Sequence, residues 1–201
     1  MNKYKFGVVV AALPHDPTEL FEVDGVLGAS KRAGIARVTF VIDADSAEIA
    51  AFRACAGLMD VGITPLRYDQ DLVSIAEIAD RIDKDRETVR LWTTGKRRGG
   101  FPGAHTQLGT SRVWHWADVY AWLTTVEVAW NGNGDGEPLP ARVVTIHNGL
   151  LAERRESGSR DWVPTYGAIH QRVAPHQQAI NVVFKRSAGQ WESISRGRQA
   201  A

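Results

Sequence analysis

Charged and polar side chains follow one another along one predicted helix near the middle of the chain. Arg86, Glu87 and Arg90 share the polar side of this helix, while Val89 and Trp92 share the opposite, apolar side. An arginine can bind guanine through two hydrogen bonds, and a glutamate can accept one from the amino group of cytosine. Because a helix fits the major groove of B-DNA, these residue types at this spacing predict contacts with base edges.

The residues that come after this helix add positive charge. Lys96, Arg97 and Arg98 follow Gly95 directly, and Arg112 lies in a predicted hairpin. Basic side chains in a loop and a hairpin can bind phosphates, which fix a protein on a duplex without reading its sequence. The full set of predicted DNA contacts is Lys84, Arg86, Glu87, Arg90, Thr93, Lys96, Arg97, Arg98 and Arg112.

Two short helices must position these side chains. Ser74 and Glu77 have the spacing of a capping box, in which each side chain satisfies the other residue's backbone N–H. Asp83 falls at the turn between the helices. This position needs a left-handed backbone conformation, which aspartate tolerates better than most residues other than glycine. Asp85 can cap the second helix, which is predicted from Arg86 to about Thr94. Two short helices across a tight turn predict a helix-turn-helix.

A small hairpin and a further helix are predicted next. Residues 104–108 and 111–114 alternate around Gly109 and Thr110, which is typical of a hairpin turn. Helical spacing resumes over residues 115–123. Four tryptophans recur at positions that predict the core of a small domain rather than stacking on bases: Trp92, Trp114, Trp116 and Trp122.

Several runs in this region match a known pattern, in order and with the expected spacing. They are Ile75-Ala76-Glu77-Ile78-Ala79, Arg86-Glu87-Thr88-Val89-Arg90-Leu91-Trp92, Gly99-Gly100-Phe101-Pro102, Arg112-Val113-Trp114 and Trp116-Ala117-Asp118-Val119-Tyr120-Ala121-Trp122-Leu123. Together they resemble the winged helix-turn-helix of the MerR superfamily, most closely its excisionase and AlpA-like branch. The resemblance covers about a quarter of the chain and implies a DNA-binding domain that regulates transcription or the direction of site-specific recombination.

Carried over by position, the resemblance assigns roles to residues of this chain. Arg86, Glu87 and Arg90 would lie on the recognition helix, and the wing would carry Lys96, Arg97, Arg98 and Arg112. Two departures stand out at the turn. This chain has Asp83 where the family usually has glycine, and Lys84 where the family usually has an apolar residue. A third is Leu91, at a position that is commonly aromatic and contacts a phosphate.

Residues 1–70 predict a small α/β sandwich of order β-α-β-α-β. The predicted elements are a strand over 4–12, a helix over 18–33 with Gly34 as its cap, a strand over 37–43, a helix from Asp45 or Ser46 to Gly62, and a strand over 63–68. This unit is expected to supply dimerisation, giving a homodimer, or a regulatory contact.

The remainder of the chain is less regular. Residues 71–125 are predicted to form the winged domain, and 126–139 a linker that is rich in alternating glycine. Residues 140–201 are predicted to hold a helix over 140–155 and a tail, in which 180–184 and 191–194 could pair as a hairpin. The expected fold class is therefore α+β.

Composition excludes several classes of protein. The chain has 201 residues and a formal net charge of +1, so its overall charge indicates no partner. No apolar run approaches the ~18–20 residues of a membrane-spanning helix. Lys3 and Lys5 before the apolar run 6–13 resemble a secretory signal, but that run is short and contains Gly7. A buried strand is favoured there, and we expect a cytoplasmic protein with no membrane partner.

The sequence contains no pattern that indicates catalysis. Its six histidines share no metal-ligand spacing with carboxylates or with Cys55, so neither a metal nor another cofactor is expected. Asp43 and Asp45 fit a turn and a helix cap better than a metal pair. No nucleophile elbow, P-loop or dinucleotide-binding motif is present. We therefore expect a protein that is not an enzyme.

Two alternatives to DNA binding stay open. Asp80, Asp83 and Asp85 could weaken the affinity for DNA, and a winged fold could then serve as a protein-interaction module. The protein could also be a regulator that responds to a small molecule bound in its N-terminal α/β unit. Salt-sensitive DNA binding and ligand-dependent thermal stability would separate these alternatives.

Overall fold

The computed structural model describes residues 1–128, 130, 135–157, 182–187 and 190–195. The chain divides into two compact units, Met1–Leu151 and Ala152–Ala201. No division falls at residue 70 or 125, where the sequence predicted domain boundaries. The structure contains helices and antiparallel sheets, which confirms the α+β class.

Four antiparallel strands form the N-terminal sheet. They are β1 (Asn2–Val10), β2 (Val26–Arg32), β3 (Ile35–Ala44) and β4 (Pro65–Tyr68), in the spatial order β2-β3-β1-β4. Apolar residues alternate along β1 and β3, so Phe6 lies opposite Phe40 and Val8 opposite Val38 on one face of the sheet. The rings of Phe6 and Phe40 stack at 5.8 Å. This face is the core of the unit, and the other face carries Lys5, Arg37 and Thr39.

Helix α1 (Ala47–Asp60) covers the apolar face. Ser46 begins it by accepting a hydrogen bond from the N–H of Ile49, as the sequence predicted, and Gly62 follows it with a φ of +76°. Cys55 is buried on this helix, where a thiol behaves as a small apolar residue.

The helix predicted over residues 18–33 is wrong, and so is the order β-α-β-α-β. The segment forms a short 3₁₀ helix, Pro17–Glu22, followed by strand β2. Leu20 and Val23 are buried, as expected for the apolar face of the predicted helix, but they pack only the 3₁₀ turn against the core. Ala33 and Gly34 both have positive φ and close a two-residue hairpin between Arg32 and Ile35. The glycine taken for a helix cap is therefore a hairpin residue.

Helix α5 (Ala141–Ser157) packs on the N-terminal sheet. It matches the predicted helix over 140–155 closely, and its Val143, Val144 and Leu151 join the core of the sheet. The Asn148 side chain accepts a hydrogen bond from the Tyr68 N–H at 2.6 Å and donates one to the Tyr68 carbonyl at 3.2 Å. The Asn148 side chain thus satisfies the backbone N–H and carbonyl at the outer edge of β4, as a neighbouring strand would.

Much of the segment predicted as a linker, 126–139, is packed against the rest of the first unit. Val128 and Leu139 are buried in two different hydrophobic clusters. The backbone of Glu137 forms a bridge beside Tyr4, and its carbonyl accepts a hydrogen bond from the N–H of Lys5 at 2.8 Å. Residues 129 and 131–134, which contain part of the predicted glycine run, lie outside the described residues.

A second group of elements follows the N-terminal sheet. It consists of β5 (Leu72–Ser74), α2 (Ile75–Ile82), α3 (Arg86–Thr93), β6 (Thr106–Leu108), β7 (Ser111–His115) and α4 (Trp116–Thr125). The strands form a sheet of order β5-β7-β6. The β6–β7 hairpin, α2, α3 and α4 stand where the sequence predicted them, whereas β5 was not predicted.

These elements enclose their own hydrophobic cluster. The four tryptophans predicted as core, Trp92, Trp114, Trp116 and Trp122, are each 7% exposed or less, which confirms that prediction. The Trp92 and Trp122 rings lie 5.3 Å apart, and Phe101 meets the Trp122 ring edge-on at 4.8 Å. A second aromatic group joins Trp116 to Trp130 at 5.4 Å.

The second unit contains a hairpin of β8 (Val182–Ser187) and β9 (Gln190–Ser195). It confirms the pairing predicted for this part of the tail, although the predicted turn residues 188 and 189 lie outside the described part. Among the described helices, none combines the length and apolar character needed to cross a membrane.

Candidate nucleic-acid interface

The turn between α2 and α3 has the geometry that the sequence predicted. The Ser74 hydroxyl accepts from the N–H of Glu77 at 3.3 Å, and a Glu77 carboxylate oxygen accepts from the N–H of Ser74 at 2.7 Å. Asp83 ends α2 in the left-handed region at a φ of +53°. Asp85 begins α3, with its carboxylate accepting hydrogen bonds from both the N–H and the hydroxyl of Thr88 at 2.7 Å.

These hydrogen bonds commit the Asp85 carboxylate to its helix cap. They also lower the pKa of Asp85, so the group stays ionised at the N-terminus of α3, where the helix dipole favours a negative charge. Asp85 therefore acts as a structural residue, in agreement with the capping role predicted for it.

Helix α3 turns an apolar side inward and a polar side outward. Val89 is fully buried and Trp92 is 4% exposed, whereas Arg86, Glu87 and Arg90 are exposed. The outward side is therefore available to a partner over the first two turns of the helix. Such a position is the one from which a helix in a groove presents side chains to base edges.

Arg90 and Glu87 form an ion pair on that outward side. The Arg90 Nε and a terminal nitrogen donate to the two Glu87 oxygens, both at 2.6 Å. The hydrogen bond from Arg90 lowers the pKa of Glu87, and Glu87 raises that of Arg90. The two side chains are 49% and 59% exposed, so water and salt screen the pair strongly and the interaction is weak.

Lys84 and Thr93 flank this surface. Lys84 is exposed directly after the turn, and its backbone N–H donates to the Ala79 carbonyl. Thr93 is half-buried, and its hydroxyl donates to the Arg90 carbonyl at 3.0 Å. The Thr93 hydroxyl thus uses its donor within its own helix and keeps its acceptor capacity, so the contact predicted from sequence stays a prediction.

The loop after α3, residues 95–101, will be called the basic loop. It presents Lys96, Arg97 and Arg98, all of them exposed. The N–H groups of Lys96 and Arg97 both donate to the Leu91 carbonyl, which ties the start of the loop to the end of α3. Arg98 has a positive φ of 55° and donates to the Val126 carbonyl at 2.9 Å, so its guanidinium is held at the end of α4.

Two buried indoles hold the rest of the basic loop and the segment after it. The Trp122 Nε1 donates to the Gly99 carbonyl at 3.1 Å, and the Trp114 Nε1 donates to the Pro102 carbonyl at 3.0 Å. Phe101 packs edge-on against both rings. The sequence predicts that these tryptophans belong to the core. It does not predict that they hold the loop, because spacing along the chain does not show which carbonyl an indole N–H will bind.

The β6–β7 hairpin adds one more cation. Arg112 is exposed on β7, with its guanidinium 5.7 Å from the centre of the Trp114 ring. From Lys84 to Arg112 the chain carries seven lysines and arginines against two carboxylates, Asp85 and Glu87. A chain segment with this excess of exposed positive charge attracts polyanions at long range.

The described residues include no group of three or more histidine, cysteine, aspartate or glutamate side chains that could hold a metal ion. The exposed guanidinium and ammonium groups of α3 and the basic loop can form charge-assisted hydrogen bonds to anionic or polar acceptors. No protein-family model matches the chain, and no curated protein and no solved structure is similar to it.

Proposed function

We propose that residues 72–125 form a winged helix-turn-helix that binds double-stranded DNA, and that the protein is a transcriptional regulator or a recombination accessory factor. The observation that carries this proposal is the outward side of α3. It exposes Arg86, Glu87 and Arg90 beside a basic loop held by tryptophan indoles. A DNA-binding role agrees with the cytoplasmic location expected from the sequence.

In this proposal α3 enters the major groove. Arg90 exchanges its screened contact with Glu87 for two hydrogen bonds to a guanine, and Arg86 binds a neighbouring base edge or phosphate. Glu87, once released, accepts from a cytosine amino group. The exchange is favourable because hydrogen bonds in the groove are better shielded from water than an exposed ion pair.

The β6–β7 hairpin and the basic loop act as the wing. Lys96, Arg97 and Arg112 bind backbone phosphates, and Lys84 approaches the backbone from the turn. Arg98 has a different role, because its hydrogen bond to the Val126 carbonyl fixes the loop against α4. Its contribution to DNA binding is to position Lys96 and Arg97.

Salt titration of DNA binding tests the proposal. If about four phosphates are contacted, the logarithm of affinity should fall against the logarithm of salt with a slope of about −3 to −4. Lys96→Ala and Arg97→Ala should weaken binding to all sequences and reduce the slope by about one each. Arg90→Ala should cost about 1–3 kcal/mol on the selected site and relax its base preference. Lys3→Ala, which removes an exposed cation from β1, is the matched control.

A second candidate function is a protein-interaction module. Leu108 is 63% exposed at the end of β6, and exposed apolar side chains at a hairpin tip suit contact with another protein. Asp80, Asp83 and Asp85 are also exposed and would repel phosphates. A module of this kind would give no salt-sensitive shift with any duplex from a random library.

We also propose that the protein binds DNA as a homodimer through its N-terminal sheet. Strand β2 lies at the edge of that sheet, and Leu27 on it is 59% exposed. Antiparallel pairing of two β2 strands would bring Asp24 of each copy near Lys31 of the other. Selection from random DNA would then return an inverted repeat, and light scattering would give twice the mass of 22.1 kDa.

A further inference from the structure

A cleft opens on the polar face of the N-terminal sheet, away from the core. Its volume is about 330 Å³, which lies within the range of small-molecule sites. Strands β1 and β3 form the floor, and α2 and the start of α4 contribute to the walls. We call it the Gly7 cleft, after the residue at the centre of its floor.

The floor is shaped by a glycine in the middle of a strand. Gly7 lies opposite Thr39 in the sheet, and the Arg37 side chain crosses over it to reach Asp69. A Cβ at position 7 would come within 3.1 Å of the Arg37 Cδ and 3.5 Å of the Asp69 Cβ. Glycine is disfavoured within strands unless something must approach the backbone closely, and here it lets a guanidinium lie on the floor of the cleft.

One wall of the cleft is aromatic and rigid. Trp116 and Trp130 line it, with their rings edge-to-face at 5.4 Å. Arg81 lies 4.9 Å from the centre of the Trp116 ring and donates to both oxygens of Asp71, at 2.7 and 2.9 Å. Arg81 thus occupies both Asp71 oxygens, and the pair forms part of the wall.

Two other ion pairs in the cleft are looser. Lys5 contacts Asp135 through one oxygen at 3.2 Å, with side chains 39% and 65% exposed. Arg37 contacts Asp69 through one terminal nitrogen at 2.6 Å, with the arginine 45% exposed. Lys5 and Arg37 keep donors for a further partner, and Asp135 keeps an acceptor oxygen. The second Asp69 oxygen already accepts from the Asp71 N–H at 3.4 Å and lies 3.9 Å from an Arg67 nitrogen.

The charges in the cleft are balanced in sign. Lys5, Arg37 and Arg81 are its cations, and Asp69, Asp71 and Asp135 are its carboxylates. A simple anion or a simple cation would meet as much repulsion as attraction there. A ligand that carries both charges would replace two exposed ion pairs by two shielded ones, with no net change in charge.

We propose that the Gly7 cleft binds a small zwitterion of the α-amino acid class. The ligand carboxylate lies between Lys5 and Arg37, beside Thr39, and its ammonium binds Asp135. Its apolar part packs against Trp130. The proposal goes beyond DNA binding and does not rest on it, because none of the residues that carry it is on α3 or in the basic loop.

Titration of the full chain with the free amino acids, followed by tryptophan fluorescence and thermal stability, tests the proposal. We expect at least one of them to give a saturable change in fluorescence and a raised melting temperature. The fluorescence change should be smaller in Trp130→Phe, in which Trp116 is the remaining indole of the cleft, while the rise in melting temperature persists. The N-acetyl and the C-amide derivatives of the same amino acid each lack one charge, and each should bind about tenfold more weakly or worse.

Variants locate the site. Arg37→Gln and Asp135→Asn should each weaken binding by about tenfold, and Arg53→Gln, an exposed arginine on α1, should leave it unchanged. If Arg37→Gln fails to fold, Thr39→Val replaces it and should weaken binding to a smaller extent.

Three results would overturn the proposal. They are the absence of a saturable response to any free amino acid, equal binding of the acetylated or amidated derivative, and equal binding of acetate or inorganic phosphate alone. DNA affinity is measured separately on the same samples, so either proposal can fail while the other stands.

Discussion

Replacing Asn148 by alanine should destabilise the first unit by removing the side chain that covers the edge of β4. Asn148 makes two hydrogen bonds to the backbone of Tyr68, a residue 80 positions away that is fully buried. Each bond is worth about 0.5–1.5 kcal/mol, and an unsatisfied buried backbone group costs about 1–3 kcal/mol. Alanine has the higher helix propensity, which offsets about 0.5 kcal/mol of the loss. The two bonds together give about 1–3 kcal/mol, so the expected net loss is about 0.5–2.5 kcal/mol.

Urea denaturation at neutral pH measures this loss. The midpoint should fall without a change in slope, because the surface exposed on unfolding stays the same. A domain of this size should also lose about 2–4 °C in melting temperature for each kcal/mol. Asn148→Asp is the sharper variant, since it keeps an acceptor for the Tyr68 N–H but sets a carboxylate oxygen against the Tyr68 carbonyl.

Glu153→Ala is the control for helix propensity, because Glu153 is an exposed residue of the same helix. It should change stability by less than about 0.5 kcal/mol. Hydrogen exchange supplies a local readout, in which the Tyr68 amide loses protection in Asn148→Ala but not in the control. A loss below about 0.5 kcal/mol for Asn148→Ala, with unchanged exchange at Tyr68, would refute this account of the sheet edge.

Three further predictions concern stability. Burial lowers the pKa of His147 from its ordinary 6.5. Below pH 6.5 the unfolded chain therefore binds a proton that the folded chain does not bind, and the free energy of unfolding falls as pH falls. His147→Leu should flatten this pH dependence in urea denaturation. Gly34→Ala should cost about 1 kcal/mol because its φ is +79°, whereas Gly28→Ala, with equal space around it, should be neutral or stabilising. Asp85→Ala should lower the melting temperature. Asp85→Asn should lower it much less, because asparagine also caps a helix N-terminus.

Each of these three has a contrary result. Stability that rises on acidification would show that the buried imidazole is not held neutral. Equal effects of alanine at positions 28 and 34 would mean that the hairpin between β2 and β3 is absent. An unchanged melting temperature for Asp85→Ala would mean that α3 does not depend on its cap.

Sequence reasoning succeeded where the determining interactions are local. The Ser74–Glu77 capping box, the left-handed Asp83 and the Asp85 cap each involve residues within a few positions of one another, and each was predicted before the structure. The hairpin turn at Gly109 and the burial of four tryptophans also followed from spacing alone. Local signals of this kind place a helix or a turn without any knowledge of what packs on it.

It failed where distant partners decide the structure. Leu20 and Val23 have helical spacing, but the pairing of Val26 with Phe40 and of Ser30 with Arg37 makes the following residues a strand. Helical periodicity cannot report that pairing. The same limit applies to the Gly7 cleft, whose Arg37 and Asp69 are 32 positions apart in the chain but 2.6 Å apart in space.

The connection between β4 and β5 has a consequence for how the two hydrophobic clusters move. Only residues 69–71 join Tyr68 to Leu72, a span of at most about 14 Å between their Cα atoms. Asp69 pairs with Arg37, and the Asp71 carbonyl accepts from the Trp116 N–H at 2.9 Å. These two contacts fasten both ends of the connection and favour one orientation of the clusters. If α3 binds DNA as proposed, a fluorophore on β2 and another at one end of the duplex should report a single narrow distance, which would also give the direction of the duplex relative to the N-terminal sheet.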